Sequence, residues 1–177
     1  MRWTRFAILL LIVTLLDAGN LLNLIAVPPR HIKPDLLLIM LVFFAANCET
    51  ADAILISFLI GFAADLSGER SVMGPYTVSF LVFGALLAHI RKVIIVKRLV
   101  HQFSAIFVTA LLARGLAQLL IILKVGPSLI DPLVVLSATA LYSALLGPWF
   151  WIIFSLLYGW LAVHPHPYPQ RQIRPRR

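Results

Sequence analysis

Three apolar runs limit what this chain can fold into. Residues 6–26 carry one charge, Asp17; residues 103–123 carry one, Arg114; residues 133–163 carry none. As a helix, a run of 21 residues reaches about 31 Å, the depth of a bilayer's hydrocarbon core. In that medium every backbone N–H and C=O must be paired within the protein, which selects helices for runs of this length. Composition agrees: 61% of the residues are hydrophobic and 12% charged, against roughly 45–50% and 25% in soluble domains. The expected fold is all-α and polytopic, one integral membrane domain over residues 1–163. A basic Pro/Arg-rich tail, residues 164–177, follows with no expected packed structure.

Read in order, the chain predicts six helices. The basic start, MRWTRF, leads into residues 6–26, where Asp17, Asn20 and Asn23 sit at the point a cleavage site would need small residues. An uncleaved first span is expected. Pro34 suits a first helical position and Asp35 suits the first turn, facing the positive end of the helix dipole. Residues 35–47 and 53–65 are two short apolar runs joined by a polar tip at Glu49–Asp52. They fit either two short spans or a re-entrant hairpin. Gly74-Pro75 reads as a cap and first residue of a helix running to about His89. Residues 133–163 read as one long helix kinked at Gly147-Pro148.

Basic residues set the expected orientation. With six crossings and a cytoplasmic N-terminus, the inside segments hold Arg2, Arg5, Arg91, Lys92, Lys97, Arg98, Arg171, Arg174, Arg176 and Arg177. The outside loops hold Arg30, Lys33, Arg70 and Lys124. This asymmetry puts both termini in the cytoplasm. Cations beside spans record topology, so the net charge of +8 does not argue for a nucleic-acid partner; membrane lipid headgroups are the expected contact. The single cysteine, Cys48, excludes an intrachain disulfide and any multi-cysteine metal site.

Asp17 and Arg114 are each the twelfth residue of a full-length apolar run. A lone charge at the bilayer centre costs about 2.5–3.5 kcal/mol on insertion scales. At matching depth the two charges are expected to pair, with Asn20, Asn23 and Gln118 as further hydrogen-bond partners.

The densest gathering of polar residues and glycines is Gly61–Tyr76, GFAADLSGERSVMGPY. Asp65 there invites a catalytic reading, but acid–base or metal chemistry needs a second positioned group, and Asp52 falls at the other end of its helix. A structural Asp that satisfies turn amides or bonds across to a neighbouring helix is the reading adopted. His164 and His166 lie among prolines with no third ligand in view. No catalytic, cofactor or metal residue is assigned. Gly61, Ala64 and Gly68, with Gly84, Ala85 and Ala88, predict a close helix approach around the turn.

Lys33-Pro34-Asp35 followed by leucines, then Gly61-Phe62 leading to Asp65-Leu66-Ser67-Gly68 and Gly74, resembles the bacterial rod-shape-determining MreD family. The motif covers roughly residues 33–90. The resemblance implies a six-helix bundle like the substrate-binding subunits of energy-coupling-factor transporters. It also implies a non-enzymatic inner-membrane component of the cell-elongation (peptidoglycan synthesis) machinery. Partners implied are the bitopic MreC, the actin-like MreB, and RodA with its transpeptidase. Pro34, Asp35, Gly61, Asp65, Ser67, Gly68 and Gly74 become packing and partner residues on this reading. The likeness to transporter subunits supplies an alternative function, small-molecule binding.

Overall fold

The computed structural model describes residues 3–19, 34–67, 73–90, 99–125 and 132–161. Within them lie six helices and no strand: α1 (Trp3–Ala18), α2 (Leu36–Asn47), α3 (Thr50–Ser67), α4 (Pro75–Ile90), α5 (Leu99–Val125) and α6 (Pro132–Leu161). Helices α3, α5 and α6 are each long and apolar enough to cross a membrane; α2 and α4 are shorter and apolar. The all-α polytopic membrane fold expected from the sequence is the one observed. The tail, the basic segment 91–98 and residues 20–33 lie outside the described residues.

Everything packs around α2. Its sequence, LLLIMLVFFAAN, is apolar on all sides, and a helix of that kind is stable only when enclosed. Leu37 to Val42 have no exposed surface at all. Helices α1, α3, α4, α5 and α6 all pack on it. With 12 residues it is about 18 Å long, well short of a bilayer core. Neither sequence-based reading of residues 35–65 matches fully: a sheathed core helix is followed by a helix of spanning length.

Helix α2 starts at Leu36, two residues later than Pro34 predicts. Asp35 is the N-cap, with an extended backbone, and its Oδ1 accepts the Leu38 N–H at 3.0 Å. A cap carboxylate satisfies one of the orphan donors of the first turn, so Pro34 is left outside the helix. At the other end of α2, Phe44 meets Phe6 edge-on at 5.3 Å, and Phe43 meets Trp151 at 5.0 Å and Phe154 at 5.5 Å. These aromatics tie α1 and α6 to the core helix.

The tightest pairing is α3 against α4. A Cβ added at Gly61 would lie 2.8 Å from the Thr77 Cα, and one added at Gly84 would overlap Ser57. Two glycines, one on each helix, therefore set the spacing from both sides. The expected close approach is present, although Gly68 lies outside the described residues. Helix α4 begins at Pro75 behind Gly74, whose φ of 112° a side chain would resist. Helix α6 runs unbroken through Pro148, with Gly147 pressed against Ile106 of α5.

Candidate functional site

Four helix termini meet at one end of the bundle: α1 and α3 finish there, and α2 and α4 begin. Two of them are N-termini, whose first-turn N–H groups need acceptors. Each receives an aspartate, from a different source.

At α4 the acceptor comes from another helix. Asp65, 7% exposed near the end of α3, reaches across to the first turn of α4. Its Oδ1 accepts the Tyr76 N–H at 3.1 Å, and its Oδ2 accepts the Thr77 N–H at 2.8 Å and the Thr77 hydroxyl. Pro75 in the first position has no N–H to satisfy. The carboxylate thus covers the next two donors and faces the positive end of the α4 dipole. It ties the end of α3 to the start of α4.

At α2 the cap is local, but its second oxygen reaches outward. Asp35 Oδ2 accepts from Arg114 of α5 through Nε at 2.8 Å and Nη2 at 2.7 Å. The Asp35 N–H donates to the hydroxyl of Ser143 on α6 at 2.9 Å. One residue therefore joins α2, α5 and α6. Asp35 and Arg114 are both mostly buried, with 7% and 21% of their side-chain surfaces exposed. Charge-assisted contacts made there are among the stronger kinds.

The ion pair expected between Asp17 and Arg114 is corrected by this geometry. Arg114 binds Asp35; Asp17 adds only a longer-range attraction. The reason lies in the packing, since α1 sits mainly on α3 and α2 while α5 sits mainly on α6 and α4. Matching depth along two helices does not make them neighbours. Asp17 instead accepts a long hydrogen bond of 3.4 Å from Ser67, linking α1 to α3. Asn20 and Asn23 lie outside the described residues.

Together these residues form a polar layer to which every helix contributes. Arg114 and Ser143 each stand about 16 Å along their helices from the α5–α6 connection, so the layer is set below the tips of those two helices. Among the described residues no group of three or more His, Cys, Asp or Glu is placed to hold a metal. Every polar contact of Asp65 and Asp35 described above joins one helix to another or starts a helix. The layer's chemistry is that of a fastening.

The chain matches the family model for rod shape-determining protein MreD over residues 1–160. It belongs to the MreD family. No curated protein and no solved structure matches it. A role in rod-shape determination follows from the family.

The residues that carry the MreD-type motif can now be placed. Asp35 and Asp65 are the two caps, Gly61 is the close-approach glycine beside Thr77, Gly74 starts α4, and Ser67 reaches Asp17. Pro34 precedes the Asp35 cap. Sequence reasoning missed three participants: the Tyr76 and Thr77 donors, the Arg114–Asp35 pair, and Ser143 as an acceptor. A serine inside a helix can otherwise bond back to its own backbone, as Ser57 does to Ala53 at 2.6 Å. One signal for the pair does lie in the sequence. An N-cap aspartate directs one oxygen to its helix and leaves the other for a cation, and Arg114 is the one cation inside a predicted span.

Proposed function

We propose that this chain acts by assembly, as a non-enzymatic scaffold of the cell-elongation machinery in the bacterial inner membrane. Its partner on this reading is an MreC-type protein with a single membrane helix, and through it MreB and RodA with its transpeptidase. The observation that carries the reading is the engagement of Asp65. All of its side-chain contacts described above go to the first turn of α4, which holds the end of α3 against the start of α4. The ten-to-four distribution of cations named above favours cytoplasmic termini, which puts this turn on the periplasmic side, where the partner's juxtamembrane segment would run.

The test is co-purification. Asp65→Ala is expected to weaken capture of the MreC-type partner and to disturb cell shape while membrane insertion stays intact. Gly68→Leu, in the same turn, should act in the same direction. Unchanged capture together with unchanged cell shape would sink the proposal.

A further inference from the structure

The pairing with Asp35 leaves part of Arg114 unused. A guanidinium carries five N–H donors in a planar fork. Asp35 engages the edge formed by Nε and Nη2; Nη1, with two donors, meets no acceptor among the described residues. A fifth of the side chain, 21%, is exposed, about 16 Å along α5 from its end at Val125. In hydrocarbon those donors would have no partner, and a charge inside a span faces the bundle interior or water. Asp17 and Tyr76 both attract the guanidinium without touching it. A polar attraction across such a gap is the setting in which water bridges.

We infer that bound water surrounds Nη1, so that the polar layer is hydrated and water links Arg114 to Asp17 of α1. The charges and donors of the layer select water over other occupants. Three carboxylates described above, Asp17, Asp35 and Asp65, stand against one guanidinium. An anionic headgroup or a free phosphate would add to that excess of negative charge. A metal ion needs several ligands together, and among the described residues no three His, Cys, Asp or Glu are so placed. Both oxygens of Asp35 and both of Asp65 already accept hydrogen bonds from the protein. Water both accepts and donates. It can take the Nη1 N–H groups and give its own protons to the Asp17 carboxylate and the Tyr76 hydroxyl. That supplies the two to four polar partners that hold a buried water. Bridged in this way, α1 joins the fastening at a centre it does not touch directly.

The experiment is hydroxyl-radical footprinting of the full chain in phosphatidylethanolamine–phosphatidylglycerol nanodiscs. Radicals made from water by an X-ray pulse oxidise the side chains beside that water. Leu119→Tyr supplies the control: it places the same ring on the outward face of α5, nearer the end of that helix than Arg114. Mass spectrometry then reads both positions in one molecule. Tyr76 should be oxidised about tenfold faster than position 119, although Leu119 is itself 54% exposed. Equal rates, or a faster rate at 119, overturn the inference, because the layer would then be dry or would simply lie at the membrane surface. Arg114→Met combined with Asp35→Asn removes the donors and should bring Tyr76 down to the rate at 119. Oxidation of Tyr76 that stays fast in this variant also overturns the inference, since Arg114 would not be what holds the water. If the variant fails to fold by circular dichroism, Asp17→Leu, which removes the other end of the bridge, takes its place. There Tyr76 should slow severalfold, and an unchanged rate overturns the inference.

Discussion

Arg114 directs two N–H groups at a single oxygen of Asp35, and the other oxygen of that carboxylate starts α2. Removing one partner of such a pair leaves a buried charge without compensation, at about 3–5 kcal/mol. Arg114→Met is therefore expected to lower stability in detergent by that order, read as an earlier thermal aggregation midpoint. Adding Asp35→Asn, which keeps a capping oxygen and removes the charge, should restore part of the loss. Asp17→Asn should cost distinctly less than Arg114→Met, since Asp17 is not the direct partner; an equal loss would contradict the assignment. Asp65 makes a parallel case. Asp65→Ala should cost about 0.5–2 kcal/mol, the range for a lost cap, and Asp65→Asn less, because one acceptor oxygen survives. Amide hydrogen exchange at Tyr76 and Thr77 reports this directly, and should quicken in the alanine variant.

Among the elements, the α3–α4 pair is the most constrained. The obstacle at Gly61 is backbone, the Thr77 Cα and the Tyr76 carbonyl, whereas at Gly84 it is the Ser57 side chain. The two glycines should consequently differ in how they can be rescued. Gly61→Ala forces the helices apart, at about 1–3 kcal/mol for overpacking, with no single side chain to trim. Gly84→Ala should be largely relieved by Ser57→Gly, because the two closest atoms are then gone and only the Leu41 Cδ1, the far end of a flexible side chain, remains at 3.2 Å. Thermal stability of the four variants in one detergent checks this; rescue failing at Gly84 would mean that the helices, not the side chains, set the spacing there. Which pair of helices lies close was readable from the chain, since small residues recur on both. That the limiting atom is a main-chain Cα in one place and a hydroxyl in the other was not. It depends on the rotation of each helix about its axis.

For the molecule as a whole, the enclosed α2 makes an unusual demand. A helix buried on one face tolerates truncation at positions off that face, with a period near 3.6. Here Leu37→Ala, Leu38→Ala, Ile39→Ala and Met40→Ala should all be costly, by about 2–5 kcal/mol each, with no period in the series. A scan that shows one tolerant face would argue against the central position of α2. Enclosure also explains how a 12-residue helix survives in a membrane protein without matching the bilayer. Its surroundings are other helices instead of lipid, so its length answers to its neighbours.

The class of this protein is legible in its residues. Apolar runs of spanning length, a charge content half that of a soluble domain and the P-D and D-L-S-G elements point to a helical membrane protein of the MreD type. They do so because backbone satisfaction in hydrocarbon leaves few alternatives, and because caps and close-approach glycines are local chemistry written in neighbouring residues. Which residues pair depends on packing. Asp35, not Asp17, meets Arg114; Asp65 caps α4 across the turn; and α2, not a full-length span, sits at the centre. Each of these rests on which helices are neighbours and how each is rotated, a matter of packing between segments far apart in the chain. Apolar residues in a membrane helix carry little of that information, since lipid and protein interior are nearly equivalent solvents for a leucine.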